Sequence, residues 1–266
     1  MRVVSIALIV FVLCFDGMGL NLRPRTNDQQ LTDANSQAVR QLALEFTTRF
    51  LQTKDLAPII KDLYAKDSID RYLKAKSTVL GRPSDLDFVP GLFYNSRLYA
   101  EASTEDLLRF YTAANNFMFF GIVSALQKSR NTSNLKPTDV YPANVTDLLN
   151  TNPSLSDMIV KKGSTKALSS VEEMRNATAT LEQAVVLMRA HTEGQSPLKL
   201  NEQELMKAMQ DDNYFKPVVR TIDAQFFGFA QGTQLIFINT PILFRLIIVK
   251  TDNKLEILWA EPTRGS

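Results

Sequence analysis

Few side chains in this 266-residue chain could carry out chemistry, and their spacing decides how far each can go. His191 is the only histidine and Cys14 the only cysteine. An imidazole acts as a general base only beside a nucleophile and an orienting carboxylate, and the chain contains no Gly-x-Ser-x-Gly elbow. His191 falls instead at the end of an expected helix, where an imidazolium suits the helix dipole. One His and one Cys cannot assemble the usual zinc ligand sets, so no metal site is expected. Neither a phosphate-binding Gly-x-x-x-x-Gly-Lys loop nor a dinucleotide Gly-x-Gly-x-x-Gly loop occurs, so no cofactor is expected.

Carboxylates remain. Glu172-Glu173 and Asp211-Asp212 are sequence neighbours, and neighbours on a helix point in different directions. Glu172-Glu173 also has an ordinary electrostatic reason to stand at a helix N-terminus. Glu256 and Glu261 flank Trp259, an arrangement from which a paired-carboxylate glycosidase could be built. A carboxylate-based hydrolase is therefore carried as one reading of this chain.

The aromatic residues suggest a different role. Phe226, Phe227 and Phe229 surround Gly228, and with Phe237 and Phe244 they concentrate apolar surface on a C-terminal run of strands. Arg245 is the one charge in the run Ile242 to Val249. Helices are expected to cover one face of this sheet. The other face would be covered by more helix, making these aromatics ordinary core as the apolar run Ile242 to Val249 suggests, or by a partner chain, or by an apolar ligand whose anionic end meets Arg245. The leading expectation is a non-catalytic binding or interaction domain; the next is a carrier of an apolar or amphipathic small molecule.

The whole chain bounds these readings. It is 45% hydrophobic and 22% charged, values that support a sizeable core. A formal net charge of +2 gives no basis for nucleic-acid binding. Arg2, the apolar run Val3 to Phe15 and the small residues of Gly17-Met18-Gly19 have the layout of an export signal, with cleavage between Gly19 and Leu20. The apolar run is too short to span a bilayer and Asp16 ends it, so the mature chain is expected to be secreted or periplasmic without a transmembrane span. Removing the signal removes Cys14, and with it any disulfide. Asn131, Asn144 and Asn176 each begin an Asn-x-Ser/Thr triplet, a frequency close to what composition alone produces, and would accept glycans only in a host that glycosylates.

The elements that must position these residues follow from periodicity. Residues 20–32 are polar and aperiodic, a flexible lead-in. From 33 onward one α+β domain is expected: about six helices over 33–215, then a small antiparallel meander over about 216–261. Val39, Leu42, Ala43, Phe46 and Phe50 share one helical face, and Ile59, Ile60, Leu63 and Tyr64 share the next. Ile69, Tyr72 and Leu73 mark a short helical turn, and residues 81–102 form a Pro-punctuated, aromatic-rich loop.

Ser103 to Lys128 is the best-determined helix, capped by Ser103 with Asp106 three residues on. It is apolar almost all round from Phe117 to Val123, and flanking helices and the meander are expected to enclose it. Ser170 opens another long helix ending near His191, and Asn201 one more through about Met209. The expected strands are FFGFAQ, QLIFIN, ILFRLIIVK and KLEILWA. In the last, Leu255, Ile257 and Trp259 alternate with Glu256 as in a half-exposed strand. A helix pair first and a meander last is also the order in small cone-shaped domains of the nuclear-transport-factor-2-like type, from which the long helical middle departs.

Overall fold

The computed structural model describes residues 33–73, 96–128, 136–160, 168–193, 203, 207, 218–220, 229–230, 233–240, 244–251 and 254–262. The expected export signal and lead-in, and the Pro-punctuated loop as far as residue 95, lie outside these residues. The protein is α+β, a mostly helical chain closing in an antiparallel sheet. The described residues form two compact units: 96–193 make up one, and 33–73 together with 203–262 make up the other.

In the discontinuous unit, α1 (Asp33–Thr53) buries Val39, Ala43, Phe46 and Phe50, four of the five residues on its apolar stripe. Asp55 accepts a hydrogen bond from the Ala57 N–H (3.1 Å) and starts α2 (Ala57–Leu63), whose first turn tolerates Pro58. Helix α3 (68–73) buries Ile69, Tyr72 and Leu73. Gln203 and Lys207 are helical, within the helix expected after Asn201.

The sheet has three long strands and a short edge strand: β1 (Val218–Arg220), β2 (Gln234–Asn239), β3 (Phe244–Thr251) and β4 (Lys254–Pro262). They pair antiparallel in the order β1-β2-β3-β4. Val218–Arg220 pairs with β2, and Phe229 and Ala230, the two described residues of the expected strand FFGFAQ, are corrected to lie outside the ladder. The Ala230 carbonyl instead accepts from both the N–H (3.2 Å) and the hydroxyl (2.7 Å) of Thr233, closing the turn that leads into β2.

Both faces of β3 are covered, as its apolar run requires: Leu246, Ile247, Ile248 and Val249 are all buried. On one face Phe244 meets Phe46 and Phe50 of α1, ring centroids 5.9 and 5.1 Å away. The expected alternation in β4 is also corrected. Ile257 pairs with Ile248 and Trp259 with Ile247, so a bulge at Leu258 puts Ile257 and Trp259 on opposite faces. Trp259 thereby stacks on Tyr72 of α3 at 4.4 Å, and Ile257, Leu258, Trp259 and Ala260 are all buried. The outer edge of β4 is partly covered by the chain after α2, where the Ala65 N–H donates to the Ile257 carbonyl (2.9 Å).

The other unit is helical: α4 (Ser96–Glu101), α5 (Thr104–Lys128), α6 (Pro137–Val140), α7 (Ala143–Asn150), α8 (Pro153–Leu155), a π-helical turn Ser156–Val160, and α9 (Val171–Thr192). Helix α5 starts as expected. Ser103 Oγ accepts from the Asp106 N–H (3.1 Å) and donates to the Asp106 carboxylate (2.8 Å). Leu107, Phe110, Tyr111, Ala114, Phe117 and Ala125 are buried, against α9 along much of the length and against α6 near the end. Asn115 is buried in the same helix; its Nδ2 donates to the Tyr111 carbonyl (2.9 Å) while its Oδ1 meets no donor.

Beyond the first half of α5, the Tyr141 ring stacks on Phe117 (5.0 Å) and lies across Gly121, where a Cβ would come 2.7 Å from the Tyr141 hydroxyl. Glycine here permits the close approach. Gly121→Ala is expected to destabilise the protein by about 1–2 kcal/mol, overpacking outweighing the roughly 1 kcal/mol of helix propensity gained. In a Tyr141→Ala background the same change should become stabilising. Paired denaturant titrations measure this, and an unchanged sign would show that the ring does not set the cost.

Candidate functional site

The aromatic set expected to form one binding surface does not do so among the described residues. Phe226 and Phe227 lie outside them. Phe244 and Arg245 are consecutive in β3 and therefore project to opposite faces. Phe244 is fully enclosed with Phe46 and Phe50, and Phe237 is buried at 9% exposure, so both belong to the core. Period-2 geometry divides the residues that composition had grouped. Arg245 is half-buried, and its register partners are Asn239 on β2 and Glu261 on β4. Phe229 is half-buried just before the Ala230–Thr233 turn, with the Arg71 guanidinium 5.2 Å above its ring.

Glu173 and Glu256 are placed for structure. Glu256 accepts from Lys254 Nζ at 2.6 Å. Glu256 pairs with Val249, and Glu261 with Arg245, near the two ends of β4. Their partners Val249 and Arg245 stand four residues apart on β3, which puts the two backbones roughly 13 Å apart. Glu172 is exposed. Glu173 turns back from the start of α9: its carboxylate accepts from the N–H and hydroxyl of Ser169, both 2.7 Å, and from the Ser154 hydroxyl. His191 is exposed one residue before the end of α9. Asp211 and Asp212 lie outside the described residues.

The sequence did not reveal the polar cluster around that turn. Asn152 Oδ1 accepts from the Leu155 N–H (3.3 Å), and the Ser156 hydroxyl donates to Asn150 Oδ1 (2.8 Å). Asn152, Ser154 and Ser156 are all buried where α8 passes into the π-helical turn. The Asn152-Pro153 step is a readable helix start; the long-range bond from Ser154 to Glu173 has no local sequence signal.

A second set of charges joins α5 to α9. Arg175 grips Asp106 with two hydrogen bonds (2.9 and 2.8 Å), and Arg109 donates to both oxygens of Glu182 (3.1 and 2.8 Å). The two pairs ascend together along both helices, so α5 and α9 run in the same sense here. The Arg175 guanidinium, aided by Ser103, holds the Asp106 carboxyl down to about 2 from its ordinary 3.8. A depressed carboxyl stabilises the fold above the unfolded value and loses that contribution as pH falls through the folded one. Acid titrations should therefore show a loss of stability between pH 4 and pH 2 that Asp106→Asn removes. An identical acid profile for the variant would show that the pair contributes nothing.

Comparison with known protein families, with curated proteins and with solved structures finds no match to this chain. Among the described residues no group of three or more His, Cys, Asp or Glu is placed to hold a metal ion, and no helix is long and apolar enough to cross a membrane. Of the glycosylation triplets, Asn131 lies outside the described residues, while Asn144 in the first turn of α7 and Asn176 in α9 are exposed. The Thr178 hydroxyl of the second triplet is buried and donates to the Met174 carbonyl (2.8 Å).

Proposed function

We propose that this chain is an exported, non-catalytic binding protein whose partner is another protein or a second copy of itself. The observation supporting it is what the ionisable groups do. Asp106 and Glu173 serve helix ends, Glu182 ties two helices together, and Glu256 holds a lysine two residues away. Each of these four carboxylates is engaged in scaffolding, an arrangement that favours recognition over reaction. Export rests on the N-terminal pattern ending at Gly19-Leu20. Within the discontinuous unit, Phe229 under Arg71, together with Arg245, is the part of the original candidate surface that is half-buried rather than enclosed. Aromatic and arginine side chains in this state are the residue types enriched at protein interfaces.

The chain is to be produced with its own N-terminus and the exported material sequenced and weighed by native mass spectrometry. The expected mature start is Leu20; material beginning at Met1 would remove the export reading. A dimer or a co-purifying protein is expected, weakened at least tenfold by Phe229→Ala or Arg245→Ala while the melting temperature holds. A monomer that retains a small apolar molecule would replace this reading with that of a carrier.

A further inference from the structure

We draw no further inference here: the strongest candidate, the buried amide oxygen of Asn115 midway along α5, meets no donor, and nothing in the structure shows what would bind it.

Discussion

Phe244→Ala is expected to destabilise the protein by about 3–5 kcal/mol, the range for deleting a buried aromatic ring. Phe244 is the first residue of β3 and is fully enclosed. Its ring meets Phe46 and Phe50 edge-on, while those two stack on each other at 5.8 Å. Two aromatic contacts are thus lost at once, each contributing about 0.5–1.5 kcal/mol beyond area burial. The surroundings cannot close the hole cheaply. Backbone bonds hold the residue itself: the Thr240 N–H donates to the Phe244 carbonyl (2.6 Å), and the Phe244 N–H donates to the Thr240 hydroxyl (3.2 Å). Phe244→Leu keeps an apolar group in place and should cost less than half as much. Urea titration with hydrogen exchange at the β2 to β4 amides is the measurement. A midpoint unmoved by Phe244→Ala would mean that α1 does not cover the sheet through this ring.

Phe117→Ala carries an expected loss of similar size, about 3–5 kcal/mol. Phe117 is only 1% exposed, and its ring supports Tyr141 across the Gly121 gap. Removing it takes away both the filling of the helical core and the stacking surface for Tyr141. The loss should appear in exchange of the α5 and α9 amides, since those two helices pack together. Tyr141 is half-buried, and the cost should fall toward the lower end if its ring relaxes into the space left by Phe117. A triple comparison of Phe117→Ala, Tyr141→Ala and the double variant separates these terms. Additive losses would show that the two rings do not act together.

The parts of this fold that could be read from the sequence were those carried by local period and local caps. Leu107, Phe110, Tyr111, Ala114 and Phe117 repeat at helical spacing and are all buried. Ser103 and Ser170 announced the starts of α5 and α9, and both accept from an N–H three residues on. The strands QLIFIN and the latter part of ILFRLIIVK were likewise visible from composition and turn residues. What escaped was set by partners distant in sequence. The bulge at Leu258 depends on how β4 meets β3, and it reassigns Trp259 to the other face. Phe237 and Arg245 share one face through the register while Phe244 takes the other, a division to which composition is blind. The candidate site is legible only as an inventory: the sequence marks Glu173 as an acid at a helix start, but not as the acceptor for Ser154.

The sheet-bearing unit is assembled from two stretches of chain separated by the helical unit, and this governs the order in which it can be made. Phe46 and Phe50 are synthesised about 200 residues before the Phe244 ring that they meet. At ribosomal speeds of about 5–20 residues per second, that is roughly 10–40 s. Throughout that interval the apolar stripe of α1 has no sheet to cover, whereas α5 and α9 lie within one continuous segment and can pair as soon as the second has emerged. The helical unit should therefore be the earlier to fold. The stripe Val39, Ala43, Phe46 and Phe50 is the surface that a holding chaperone would find exposed on the nascent protein.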